Sequence, residues 1–290
     1  MFASRALSGL VIAMAAGFGT TAMAQQTPLQ RGTYLVQTIA ACGNCHTPKG
    51  ERGDIPGMEM AGGFKFEAPP FTAVAPNITP DPETGIGKWT DAEIIVAIRE
   101  GRRPDGSIIG PPMPIELYRD ISDGDARAIV AYLRRLKPIR NKVEKSVYRM
   151  PLPPNYGPPL ASVPEPKRAD KVAYGGYLTN ALGHCTECHT PMLADGRRDF
   201  ANQMGAGGPP LDGPIGPVAP PNLTPDRSTG LGTWTNAEIK RAITKAVSKD
   251  GRKLAPPMAF PYYAKMTNDD LDAIVTYLRS LKPIHRPTGS

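Results

Sequence analysis

What most constrains this chain is that much of its sequence occurs twice. Cys42 and His46 recur 143 residues later as Cys185 and His189. Asn77-Ile-Thr-Pro-Asp81 recurs as Asn222-Leu-Thr-Pro-Asp226, and the Gly85–Ile94 block, with Trp89, recurs at Gly230–Ile239, with Trp234. Pro111-Pro-Met113 returns as Pro256-Pro-Met258, and residues 127–139 match 272–284 at ten of thirteen positions. A period this long is an internal duplication of a whole domain, since solenoid repeats run to only a few tens of residues. The expected organisation is therefore two similar domains, 25–142 and 169–290, with 143–168 between them.

That intervening stretch has seven prolines within residues 151–166. Proline lacks the backbone donor and fixes φ, so neither regular helix nor central strand suits it. It reads as a stiff, extended, proline-rich linker holding the domains at a fixed separation. Tyr148, Leu152, Tyr156 and Leu160 would lay it over the domain surfaces. At the N-terminus, Arg5, the apolar run 7–18 and Ala22-Met23-Ala24 form the pattern of a signal peptide cut after Ala24. The protein is accordingly expected in the periplasm. No later stretch is apolar for long enough to span a bilayer, which leaves at most peripheral membrane contact.

Each copy reads as three helices. The first runs over 29–41 and 172–182. The second follows the capping-box sequences Thr90-Asp-Ala-Glu93 and Thr235-Asn-Ala-Glu238. The third starts at Ser122 and Thr267, carries the apolar stripes Ile129, Val130, Leu133, Leu136 and Ile274, Val275, Leu278, Leu281, and stops at Pro138 and Pro283. No strand pattern stands out, so the fold class is all-α with long Gly/Pro-rich loops. The hydrophobic core this supplies is small for domains of this size, and a large apolar group in each would complete it.

The cysteines say which group. All four lie in Cys42-Gly-Asn-Cys45-His46 and Cys185-Thr-Glu-Cys188-His189, the C-x-x-C-H pattern of covalent haem c attachment. Two thiols add across the haem vinyl groups as thioethers, and the next residue, His46 or His189, becomes the proximal iron ligand. A zinc site would need four ligands, and the first copy has no Cys or His beyond its motif, so a matched pair of zinc sites is not available. For the sixth iron position, the chain holds four histidines, two of them proximal. His184 precedes Cys185 and His285 follows the last helix, so neither is placed to serve. Met113 and Met258 lie in matching proline-stiffened loops and are the better candidates for the sixth ligand at the two irons. A buried loop methionine packing in the core is the competing reading of each. Trp89 and Trp234 are either core residues or indole donors to the haem edge. Asn77 and Asn222 are either turn formers or residues that orient the proximal histidines.

The formal net charge is +7. The densest basic run, 134–149, has seven Lys or Arg against one Glu. It is either a solvated helix face or a docking patch for an acidic redox partner. Nucleic acid is excluded by the expected compartment.

The order helix, C-x-x-C-H, proline-bound methionine loop, closing helix resembles the class I cytochrome c fold, present twice. The Asn-x-Thr-Pro-Asp and Gly-x-Gly-x-Trp-Thr segments resemble the di-haem and multi-haem cytochrome c subunits of bacterial alcohol and gluconate dehydrogenases. The resemblance implies two haem c (iron) cofactors and single-electron transfer in the respiratory chain. It further implies a dehydrogenase catalytic subunit as donor and a cytochrome or oxidase as acceptor. Those subunits commonly carry three haems and a membrane anchor, whereas this chain has two C-x-x-C-H motifs. The alternative is a di-haem redox enzyme, of peroxidase or thiosulfate-oxidising type, with one displaceable axial ligand.

Overall fold

The computed structural model describes residues 26–213 and 216–288. Residues 1–24, the expected signal peptide, lie outside the described residues. In the first half, α1 (Pro28–Gln37) leads to the one-turn helix α2 (Gly43–His46), then α3 (Asp91–Glu100), α4 (Ile115–Tyr118) and α5 (Asp123–Leu133). The second half repeats the order as α6 (Lys171–Tyr177), α7 (Cys185–Cys188), α8 (Asn236–Lys245), α9 (Phe260–Tyr263) and α10 (Asn268–Ser280). A π-helical turn, Leu178–Leu182, follows α6.

The expected caps are in place. Thr90 and Thr235 accept from the amides of Glu93 and Glu238, whose carboxylates accept in return from the threonine amides. Ser122 and Thr267 cap α5 and α10. The long helices end sooner than expected: α1 at Gln37, where Thr38 leaves the helical region at φ −129°, ψ −97°, and α5 and α10 at Leu133 and Ser280, before the prolines.

The all-α expectation is corrected by short antiparallel pairings. β1 (Lys49–Gly50) pairs with β2 (Gly53–Asp54), and β6 (Leu211–Gly213) with β7 (Gly216–Val218). β3 (Lys65–Ala68), β4 (Phe71–Val74) and β5 (Val147–Tyr148) form a three-stranded sheet in that order. At two to four residues each, these strands are too short to print an alternating pattern on the sequence.

The first and last helices of each half cross through a glycine. A Cβ on Gly32 would lie 1.8 Å from the Ala128 carbonyl oxygen, and one on Gly175 would lie 1.9 Å from that of Ala273. Only glycine permits this backbone approach. The apolar stripes of α5 and α10 close the core beneath: Ile129, Val130, Leu133, Ile274, Val275 and Leu278 are all buried.

The halves are in direct contact, and the contact is reciprocal. Tyr34 of α1 donates to Asp270 in the first turn of α10 at 2.6 Å, while Tyr177 of α6 donates to Asp125 in the first turn of α5 at 2.8 Å. Each tyrosine oxygen also accepts a backbone amide of the opposite half, from Thr267 at 3.1 Å and Ser122 at 3.2 Å. Buried hydrophobic residues from both halves form one cluster. The segment 147–163 lies over the first half, beginning as β5 against β4.

Candidate haem attachment sites

Each C-x-x-C-H motif winds into a single helical turn, which brings its two cysteines and the histidine after them close together. The turn is fixed from behind. Thr47 and Thr190, just after the histidines, accept the amides of Met60 and Gly205 at 3.2 and 3.1 Å. The carbonyls of His46 and His189 accept from Gly62 and Gly207. All four cysteines are unbridged. Burial pushes the thiols up, to about 12 for Cys42 and Cys188 and about 11 for Cys45 and Cys185. Burial thus keeps these as neutral thiols and not thiolates.

His46 and His189 are 9% and 5% exposed. Their Nδ1 atoms lie 2.9 Å from the Pro76 carbonyl and 2.8 Å from that of Pro221. A carbonyl only accepts, so the proton sits on Nδ1 and the Nε2 lone pair is left for a metal. Burial lowers both imidazoles below the usual histidine range, against the opposing effect of the carbonyl bond, which keeps them neutral. A neutral imidazole, held through its distal N–H, is what an iron ligand requires.

The orienting carbonyls are themselves held. Asn77 Oδ1 accepts from Thr79, while its Nδ2 donates to the Ile139 carbonyl at 2.7 Å and to Thr84. Asn222 does the same with Thr224, the Ile284 carbonyl at 2.8 Å and Thr229. The two readings of these asparagines therefore meet: they are turn formers, and the turn they form positions the carbonyl that holds the histidine. The histidine–carbonyl bond itself was not legible, because a backbone acceptor some thirty residues away leaves no mark on side-chain identity.

Met113 and Met258 sit in equivalent loops before α4 and α9, half-buried and packed against the hydrophobic cluster. Trp89 and Trp234 are also half-buried against it, and their carbonyls accept from the Arg134 and Arg279 guanidinium groups. His285 is exposed and bonds Ser228, and His184 pairs with Glu187 at 3.1 Å. Two thiols to attach the group and a neutral imidazole to face its iron are arranged alike in both halves, and each half carries an equivalent methionine loop, so the residues present fit haem c.

The two motifs adjoin across the interface. Asn44, inside the first motif, donates to the Pro257 carbonyl beside Met258 at 3.4 Å. Gly43 faces the Tyr262 hydroxyl closely enough that a Cβ would come within 2.4 Å of it. From the second motif, the His184 ring packs edge-on against Tyr118, centroids 5.8 Å apart. After burial, the charge of Glu187 raises both Cys45 and Cys188, which lie in different halves. The basic run 134–149 is partly engaged within the protein: Arg134 holds the Trp89 and Ile86 carbonyls, Arg140 pairs with Glu83, and Arg149 holds β3–β4 carbonyls.

Comparison with known proteins matches residues 29–137 and 175–282 to the family described as cytochrome c. The chain is 33% identical over 302 residues to the alcohol dehydrogenase (quinone), cytochrome c subunit, of Gluconacetobacter polyoxogenes, covering 93% of this chain and 60% of that protein. It is 30% identical over 277 residues to the fructose dehydrogenase cytochrome subunit of Gluconobacter japonicus, covering 90% of this chain and 54% of that protein. With a diheme cytochrome c-type protein of Cereibacter sphaeroides it shares 29% identity over 255 residues, 84% of this chain and 82% of that protein. The chain thus spans 60% or less of the length of the two dehydrogenase relatives. Among the described residues, no helix is long and apolar enough to cross a membrane.

Proposed function

This chain belongs to the cytochrome c family and carries two haem c groups, and we propose that it is a periplasmic carrier passing single electrons from a dehydrogenase to a downstream respiratory acceptor. Cys42 and Cys45 would hold one haem with His46 and Met113 on its iron; Cys185 and Cys188 would hold the other with His189 and Met258. The bound iron supplies the chemistry by alternating between ferrous and ferric states. The protein's part is to set ligand identity, exclude water and keep both sites rigid, so that little rearranges when charge changes. A thioether ligand favours the ferrous state and raises the potential relative to a second imidazole.

The observation carrying this reading is that the two sites repeat the same residues, each histidine locked by its own carbonyl, with the first motif touching the second methionine loop across the interface. Adjoining sites suit electron exchange within one molecule, and like ligand sets leave neither iron an obvious open position. The dehydrogenase donor is supported by relatives named as cytochrome subunits of such enzymes.

The test is the optical spectrum of the holoprotein in both oxidation states, with carbon monoxide added to the reduced form. The native protein is expected to be fully low-spin, with the methionine-to-iron charge-transfer band and no carbon monoxide shift. Met113→Ala and Met258→Ala are each expected to remove about half the band, open one haem to carbon monoxide and lower its potential. Carbon monoxide binding by the native protein would instead favour the enzyme reading, and unchanged spectra in both variants would remove the ligand assignment.

A further inference from the structure

We propose that the proline-rich segment 147–163 is a clamp on the first methionine loop, and that Tyr148 and Tyr156 are positioning residues holding Met113 in place. The inference rests on the reading of Met113 as an axial ligand.

The segment is anchored at both ends. At its start, Val147 and Tyr148 pair with Thr72 and Phe71 of β4, and Arg149 donates to the carbonyls of Ala68 at 2.7 Å and Pro69 at 2.9 Å. At its finish, Val163 accepts the Asp123 amide at 2.9 Å and Ser162 donates to the Asp123 carboxylate at 2.7 Å, at the N-terminus of α5. Between these anchors the chain passes over the loop leading to Met113. Tyr156 donates to the Ile109 carbonyl at 2.8 Å, and Tyr148 donates to the Pro111 carbonyl at 3.0 Å. The Tyr148 ring closes on Gly110, where a Cβ would come within 2.6 Å of it. Burial pushes Tyr156 up to about 12, so its hydroxyl stays a donor through the physiological range.

Two backbone carbonyls within four residues of Met113 are thus gripped from outside by one stiff segment. Proline supplies the stiffness: with φ fixed, the segment has little freedom to lose on docking, and its two ring anchors act together. The matching carbonyls of the second loop, Leu254 and Pro256, take no side-chain hydrogen bond among the described residues. Pro256 and Pro257 are exposed where Pro111 and Pro112 are half-buried. A methionine–iron bond is weak, so a loop that restrains the sulfur governs how readily another ligand displaces it.

The experiment is an imidazole titration of the ferric holoprotein, native and Tyr148→Phe/Tyr156→Phe, followed by the methionine charge-transfer band. Met113→Ala and Met258→Ala assign each half of the band to its haem. The double variant keeps both rings and loses both bonds, so imidazole is expected to displace Met113 about ten-fold more readily, with Met258 unchanged. Loss of band in Met113→Ala, together with native imidazole affinity in the double variant, would overturn the clamp while leaving the ligand reading intact. A band untouched by Met113→Ala would overturn the ligand reading itself. Amide hydrogen exchange of the native holoprotein needs no variant: residues 109–113 are expected to exchange more slowly than 254–258, and equal or faster exchange would overturn the clamp.

Discussion

Asp125 and Asp270 occupy the same place in the two halves, buried in the first turn of the closing helix, and each takes a tyrosine from the opposite half. Their remaining partners differ. Asp125 is met by the Arg31 guanidinium in a two-pronged pair, both contacts at 2.8 Å. Where the first half has Arg31 the second has Tyr174, which donates a single neutral bond to Asp270 at 3.0 Å, and cations enter only one step further out, with Arg168 5.2 Å from the Tyr174 ring and Arg31 itself 5.8 Å from the Tyr34 ring. A helix N-terminus favours a carboxylate by itself, and two phenol donors satisfy it well enough for burial. The comparison separates two jobs. The cross-half Tyr–Asp bonds, identical in both directions, hold the molecule together; the bonds inside each half only have to neutralise the carboxylate, and two chemistries do so.

The sharpest way to break that comparison is to remove each carboxylate. Asp125→Ala leaves the Arg31 charge buried without its partner, which costs about 3–5 kcal/mol. Asp270→Ala leaves two phenol hydroxyls wanting an acceptor, which costs about 1–3 kcal/mol. Denaturant unfolding of the two holoprotein variants should therefore differ by more than about 1 kcal/mol, with Asp125→Ala the weaker. Equal losses would mean that Arg31 contributes nothing that Tyr174 does not.

The helix crossings should show no such difference. Gly32→Ala and Gly175→Ala each drive a methyl into a carbonyl oxygen of the partner helix, and backbone cannot yield as a side-chain tip does. Both changes are expected to cost about 3 kcal/mol, the upper end for overpacking, and by the same amount within error. A tolerated substitution in either half would show that its α1–α5 or α6–α10 contact is looser than these distances require.

Much of this was written in local sequence. The capping threonines, the apolar stripes and the C-x-x-C-H turns act over a few residues, so their signals sit beside their effects. The glycine crossings were not legible, since Gly32 and Gly175 are single residues inside helices and their reason lies on another helix. The cross-half tyrosines were missed for the same cause: Tyr34 reaches Asp270 across more than two hundred residues. The short strands escaped because two to four residues are too few to carry a legible alternation. For the site, residue identity was enough to nominate the cysteines, histidines and methionines, while the backbone carbonyls that lock His46 and His189 became visible only in three dimensions.

The smallest test concerns the ends of α3 and α8, which both finish on a left-handed residue. In the first half it is Gly101, φ 66°; in the second it is Ala246, φ 53°. Left-handed backbone crowds a Cβ against its own carbonyl and costs about 1 kcal/mol, which glycine avoids. The first half cannot accept the methyl for a second reason: at Gly101 it would meet the Tyr156 ring within 2.8 Å, so the cap and the overlying segment are fitted to each other. Ala246→Gly is therefore expected to stabilise the protein by about 1 kcal/mol, read as a rise in the unfolding midpoint with unchanged slope, while Gly101→Ala moves it the other way by more. If Ala246→Gly were neutral or destabilising, side-chain contacts of Ala246 would outweigh its strained backbone, and the two caps would differ in more than the residue that fills them.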